Sequence, residues 1–384
     1  MKLAIIGASY LQAPLILRAK EMGLETHVFA WAAGDVGEKM ADRFYPVSIV
    51  EKEKILEICR KTGVDGVCTI ASDLAAVTVG YVAHAMGLPG NSPECVLRST
   101  NKHRMRQAFR ENGDPSPASF LAETAEDLKG AALSFPVIVK PLDRSGSRGI
   151  TKLESPEGLE AAIEAAKAAG FEKKALVEEF AAGREYSVEC LSREGSHRML
   201  TVTEKYTTGA PHFIETAHLE PAPLSAETRE KIRRTVFHAL DSLLIRCGAS
   251  HAELKIAPDG TIRLIEIGAR MGGDLIGSDL VPLSTGVDYV GDVIRCALGR
   301  EPEAFRSMPP DPGRCAAVRF VFGPEDLEAL ARMKAERPEY LIREDVRPLT
   351  GAAVTDSSSR FGYFLAAAPS AEDLAPYLPE RTGD

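Results

Sequence analysis

No run of apolar residues in this 384-residue chain approaches the length needed to cross a bilayer, so no membrane partner is expected. The opening MKLAIIGASY has a short apolar stretch that stops at a glycine turn, unlike a secretory leader. Clusters of Lys and Arg are missing and the formal net charge is −9, which argues against a nucleic-acid surface. Seven cysteines are scattered singly, with no CxxC pair and an odd total. That usage suits reduced thiols in a cytoplasmic protein and offers no zinc site. Internal repeats and low-complexity tracts are also lacking. What remains is a globular composition, 45% hydrophobic and 26% charged, on a chain too long for one ordinary core. Two or three domains are expected.

The first hundred residues read as β-α-β. A strand at 2–6 ends at Gly7, a helix covers roughly 11–22, and a second strand lies at 24–30. The pattern repeats as a helix at 52–61 and a strand at 64–71. The first loop, GASYLQ, lacks a complete GxGxxG, and the second strand ends in Ala30-Trp31 without an acidic residue, which disfavours a dinucleotide dehydrogenase. Ligands gather at the carboxyl ends of parallel strands, so Ser9, Tyr10, Ser72 and Asp73 are pocket candidates, with turn and cap roles as the plain alternative. Turn formers cluster at 87–93, where a domain boundary is placed. A helix over 101–112 follows, capped by Asn101 or Thr100, with Lys102 in its first turn. A lysine there opposes the helix dipole and is either reserved for an anion or simply solvated. The strand 135–139 ends in Lys140-Pro141 and leads into DRSGSRGI, a loop whose backbone can wrap phosphate. A helix at 156–169, a strand at 175–180 and a strand at 186–191 bring Glu178, Glu179 and Glu185 close together. The stretch 204–223 reads as a long polar loop carrying His212, Glu215 and His218, and a loop of that length inside a domain suggests function. A helix over 225–247 precedes the hairpin, and a smaller α+β segment follows residue 300, with strands at 315–322 and 361–366.

The chemistry is concentrated in HAELKIAPDGTIRLIEIGARMGG, residues 251–273. Asp-Gly between two apolar runs signals a hairpin. With an even loop, such as Asp259-Gly260 alone, Glu253 lies directly across the ladder from Glu266. Opposed carboxylates repel, and a hard cation such as Mg²⁺ would relieve them. A three-residue loop with a Gly bulge would shift the register and part them, leaving two solvated glutamates. Arg270 and the Gly272-Gly273 pair emerge where the second strand ends.

In this order, a strand with a lysine, a Gly/Ser loop, VEEF-x-x-G-x-E and a two-glutamate hairpin leading to an arginine and a glycine pair resemble the ATP-grasp superfamily of carboxylate–amine ligases. The architecture implied is like that of biotin carboxylase and the purine-synthesis carboxylate ligases. It is α/β and α+β: an N-terminal Rossmann-like βαβ (pre-ATP-grasp) domain at 1–98, an ATP-grasp nucleotide-clamping domain at 99–300 with a mobile lid at about 128–190, and a small C-terminal α+β cap at 301–384. The resemblance implies ATP with Mg²⁺ or Mn²⁺ as cofactors. It places Lys102 and Lys140 on the phosphates, with Lys140 also near adenine, and Ser145, Gly146, Ser147 and Gly149 in a phosphate lid. Glu178, with the Glu179 and Ala181 backbone, would hold adenine and Glu185 the ribose, while Glu253 and Glu266 would bind metal. Arg270 would stabilise the transferring phosphoryl group, and Glu215 and His218 join it as candidate catalytic residues. The chain departs from the family's EIN-x-R pattern: Gly268 stands where an Asn ligand is usual. The activity expected is activation of a small, amino-acid-like carboxylate as an acyl phosphate and coupling to an amine, with release of ADP and phosphate. A bicarbonate-using carboxylase and a nucleotide binder without turnover are the alternatives, and a homodimer is left open.

Overall fold

Leu3 and Ile5 of strand β1 (Lys2–Ile6) pack into one apolar cluster while Ala4 and Ile6 pack into another, so the strand is buried on both faces. In this computed structural model, which describes residues 1–143, 149–210, 213–351 and 353–381, β1 lies between parallel neighbours. These are β2 (Glu25–Ala30), flanked in turn by β3 (Arg43–Pro46), and β4 (Gly66–Cys68), giving the order β3-β2-β1-β4. Gly7 ends β1 at φ +106, and a Cβ there would meet the Gln12 side chain at 2.9 Å. The first of those clusters extends beyond the small sheet to Leu191, Ala249, Met271 and the helix Tyr289–Ala297, which seats the N-terminal sheet on the rest of the molecule.

A second four-stranded sheet is antiparallel, in the order β5-β8-β6-β7, from β5 (Ser119–Ala122), β6 (Val137–Pro141), β7 (Thr151–Leu153) and β8 (Ala175–Glu179). The helix Leu159–Ala169 covers one face through Ala162, Ile163 and Ala166. The largest sheet has eight strands. They are β9 (Arg184–Arg193), β10 (Ser196–Thr207), β11 (Glu215–Glu220), β12 (Cys247–Ile256), β13 (Ile262–Gly268), β14 (Cys315–Phe320), β15 (Leu341–Val346) and β16 (Gly362–Ala368). Their order is β13-β12-β9-β10-β11-β14-β16-β15. Since β11 pairs with β14, the strands beyond residue 300 continue the sheet that carries the hairpin.

Three expectations need correction. The stretch 204–223 is not a loop: β10 runs through Thr207 and β11 starts at Glu215. Its charged residues hid two strands buried on both faces, for the neighbours Glu204 and Lys205 are both buried, as are His218 and Glu220. The helix expected over 225–247 runs only from Ala226 to Ser242. It ends in a turn with Leu244 at φ +61, and Cys247 already belongs to β12. The hairpin loop is odd rather than even. Ala257 N–H bonds Thr261 O at 2.9 Å around a three-residue turn with Gly260 at φ +80. Glu253 nevertheless faces Glu266, because the register shifts again: Leu254 pairs with Leu264 and Ile265 is left as a bulge. The Ile265 carbonyl accepts instead from the buried Arg106 Nη2 at 2.7 Å.

Glu220 is a buried carboxyl at the end of β11, receiving Thr203 Oγ1 at 2.6 Å and Ser284 Oγ at 2.7 Å. Burial raises its pKa to about 8. An acid raised in the folded state holds its proton better there than in the unfolded chain. Its contribution is therefore present at low pH and lost as pH climbs from the ordinary carboxyl value through about 8. Glu220→Gln is expected to keep the fold and to gain stability relative to wild type as pH rises from about 5 to 8. Urea midpoints across that range should diverge, and parallel curves would contradict a protonated Glu220.

Candidate active site

The hairpin, the four-stranded sheet, the loops at the carboxyl end of the N-terminal sheet and the segment 345–363 enclose one cleft of about 730 Å³. Among the sequence candidates, Tyr10, Asp73, Lys102, Lys140, Glu178, Glu179, Ala181, Glu185, Glu215, His218, Glu253, Glu266 and Arg270 all line it. Ser9 and Ser72 take the plain role instead. Ser9 Oγ bonds Gln12 Oε1 at 2.7 Å, and Ser72 Oγ accepts the Ala75 N–H as a helix cap. Ser145, Gly146, Ser147 and His212 lie outside the described residues. Gly149 has φ +69, and a Cβ there would come within 2.6 Å of Ala169 Cβ, so the backbone approaches the helix Leu159–Ala169 closely.

At one end, Lys140 on β6 and Glu178 on β8 form a buried ion pair, and Arg106 Nε joins Glu178 at 3.0 Å. Burial pushes the Lys140 pKa down, against the pull of Glu178. Burial would raise Glu178, but Arg106 and Lys140 outweigh it and hold the carboxyl below its usual range. The Glu178 carboxylate is thus committed to two cations. The Glu179 N–H is also committed, to the Ala118 carbonyl at 3.0 Å. Arg106 carried no motif in the sequence; its place in the apolar register of the helix Lys102–Asn112, beside Met105 and Phe109, was the available signal.

The centre holds the acid pair. Glu253 receives Lys205 Nζ at 2.8 Å and Glu266 receives Lys102 Nζ at 2.8 Å. Lys205 also reaches Glu185 at 2.7 Å and Glu215 at 3.7 Å. Desolvation opposes its charge, yet three carboxylates raise its pKa well above normal. It went unread because it sits in the misassigned stretch. His251 lies opposite Gly268 on the ladder. Its Nε2 is 3.3 Å from Glu253, and its Nδ1 bonds the buried Glu189. Against a desolvation penalty, Glu189 lifts the His251 pKa to about 9, so at neutral pH the ring brings positive charge beside Glu253. Gly272 gives its N–H to Glu189 at 3.0 Å, and a Cβ there would fall 2.5 Å from the same carboxylate.

A divalent cation fits this donor set. Two carboxylates face each other across one rung, both open to the cleft, and each is balanced by a lysine ammonium whose charge a cation could replace. No cluster of three or more His, Cys, Asp or Glu donors that could hold a metal occurs among the described residues. The remaining ligands would come from phosphate and water, as suits Mg²⁺ carried by a nucleotide.

At the far end, Arg360 links Glu215, at 2.9 Å, with Asp274, at 2.8 Å, and its guanidinium lies 3.8 Å over the Phe320 ring. His218 is buried with neither ring nitrogen hydrogen-bonded, and Asp274 stands 3.9 Å away. Burial lowers its pKa, so the ring is neutral. Arg270 forms a two-point ion pair with Asp73, with Nε–Oδ1 at 2.7 Å and Nη2–Oδ2 at 2.8 Å.

Removing the cation shared by three acids tests this electrostatic arrangement. Lys205→Met is expected to lose about 3–5 kcal/mol of stability by stranding buried carboxylates. Millimolar Mg²⁺ should restore more stability to the variant than to the wild type, as read by urea denaturation. An unchanged midpoint would mean that Lys205 does not balance the acid pair.

Comparison with known proteins agrees with this geometry. Residues 133–279 match the ATP-grasp domain model. The alanine–anticapsin ligase of Bacillus subtilis is 27% identical over 58% of this chain and 51% of its own. An L-amino acid ligase from Bacillus licheniformis superposes with a TM-score of 0.82 at 26% identity, over 98% of this chain and 95% of that one. Phosphoribosylglycinamide synthetase from Anaerococcus prevotii shares the fold, with a TM-score of 0.77 at 17% identity over 97% and 95% of the two chains. The chain spans 51–64% of the length of the first curated relatives it matches. No described helix is long and apolar enough to cross a membrane. With its lysine strand, acid hairpin and enclosing sheets in the family's order, the chain carries an ATP-grasp domain over residues 133–279.

Proposed function

We propose that the protein is an ATP- and Mg²⁺-dependent carboxylate–amine ligase that activates a small, amino-acid-like carboxylate as an acyl phosphate and couples it to an amine, releasing ADP and phosphate. The observation that carries this reading is the single cleft in which the opposed Glu253 and Glu266 meet Lys102, Lys140, Lys205 and Arg270. Bringing a carboxylate up to a triphosphate joins two anions, and that is the charge problem such a site addresses. Bound nucleotide would supply the phosphoryl group, and its metal would neutralise charge on the phosphate oxygens. Lys140 and Lys102 would grip phosphate oxygens, Glu253 and Glu266 would hold the metal, and Arg270 would offset charge on the transferring group. His218, which lines the cleft with both ring nitrogens unpaired, would be the group to take the proton from the incoming amine. Glu215, held by Arg360 and Ser357 Oγ, would orient that end of the cleft.

Among the described residues no cysteine lines the cleft, and the Ser192–His197 pair lies away from it with Ser192 fully buried, so the acyl phosphate would be free in the site. The likeness to the L-amino acid ligase, which extends over nearly the whole chain, favours an amino-acid substrate over bicarbonate. A screen of amino-acid pairs for ADP release, run with and without bicarbonate, tests this. Added hydroxylamine should yield a hydroxamate with ADP and phosphate, whereas AMP and pyrophosphate would mean adenylation and would refute the reading. Lys140→Ala should weaken ATP binding by about 1.5–3 kcal/mol, roughly 10–150-fold. Unchanged binding would remove Lys140 from the nucleotide site.

A further inference from the structure

Gly268 is bare in a place where its backbone does not demand glycine. It is the last residue of β13 and is not among the residues with positive φ. A reason for the missing side chain lies across the domain boundary. A Cβ built on Gly268 would sit 2.9 Å from Asp73 Oδ1 and 3.4 Å from Arg270 Nε and Cζ. Asp73 opens the helix Asp73–Met86 of the N-terminal domain, and its two oxygens take Nε and Nη2 of Arg270. The turn before it is docked in register: the Ala71 N–H bonds the Met271 carbonyl at 3.2 Å, and bare Gly273 approaches Ala71 closely enough that a Cβ would touch at 3.4 Å. Two residues of one domain, Ala71 and Asp73, thus meet four of the other, Gly268, Arg270, Met271 and Gly273, around a single guanidinium.

We propose that Asp73 is a positioning residue for Arg270, and that Gly268 is glycine because the Asp73 carboxylate and the Arg270 guanidinium occupy the volume its side chain would fill. On this account position 268 is not a metal-ligand position that has lost its oxygen. An Asn placed there would not reach a cation; it would push Asp73 off Arg270. The bidentate grip fixes the plane of the guanidinium, which an ammonium or a single contact would leave free to rotate. It also requires the N-terminal domain for the arginine to be aimed, so the two domains share the site instead of merely enclosing it.

The consequence for turnover rests on the ligase reading above; the steric relation does not, and the two are measured separately. In urea denaturation, Gly268→Ala should destabilise the wild type but cost little more in an Asp73→Ala background, a non-additive cycle. Equal costs in both backgrounds would show that a side chain at 268 meets something other than Asp73 and would overturn the proposal. In steady-state ADP release, Asp73→Asn, which keeps the shape, should lower kcat by about 10–100-fold, the scale expected of a misplaced group. ADP affinity in the presence of Mg²⁺ should stay within about twofold, and Asp73→Glu should recover part of the loss. A loss of ADP affinity that tracks the loss of kcat would mean that Asp73 acts through general folding and would also overturn the proposal. If the wild type releases no ADP with any amino-acid pair, the ligase reading fails, while the denaturation cycle still decides whether Gly268 makes room for Asp73.

Discussion

Everything in the cleft depends on two carboxylates being held face to face on neighbouring strands. Such a pair is repulsive and is kept only where cations are built around it. Glu253 and Glu266 have Lys205, Lys102 and protonated His251 about them, each with further partners of its own. The result is an interior in which buried charges are shared among several partners, as Lys205 is among Glu185, Glu215 and Glu253. Because a buried charge deprived of its partner costs several kcal/mol, these residues are difficult to change one at a time.

Much of the architecture was legible in the sequence. The βαβ opening, the lysine that ends a buried strand and the two-glutamate hairpin each follow from local pattern, and their order suggested the superfamily. The pairing of Glu253 with Glu266 was reached by an incorrect route. The loop is odd, and the face-to-face arrangement survives because Ile265 bulges out and restores the register. A bulge leaves no clear mark in a run such as IRLIEIG, where both faces are largely apolar. What makes it tenable is a distant group, Arg106, which takes the displaced carbonyl.

The unread parts share one cause. Lys205 and Arg106 are charged side chains at buried positions, and a pattern reading treats charge as a mark of surface or loop. The strands β10 and β11 were read as loop for that reason. Arg360 comes from a segment more than 140 residues beyond Glu215, so no spacing in the sequence joins the two. Tertiary ion pairs of this kind are settled by the fold and become visible only with it.

Arg106 also has a mechanical meaning. Its guanidinium touches Glu178 on the smaller sheet and the Ile265 carbonyl on the hairpin, so one rigid planar group spans two sheets. Sliding one sheet past the other by more than a hydrogen-bond length would tear a buried cation from a partner. The two bonds to Glu178 also fix the plane of the guanidinium, so tilting is resisted as well. The joint between the sheets is therefore a clamp, one buried planar cation held to Glu178 on one side and to the Ile265 carbonyl on the other.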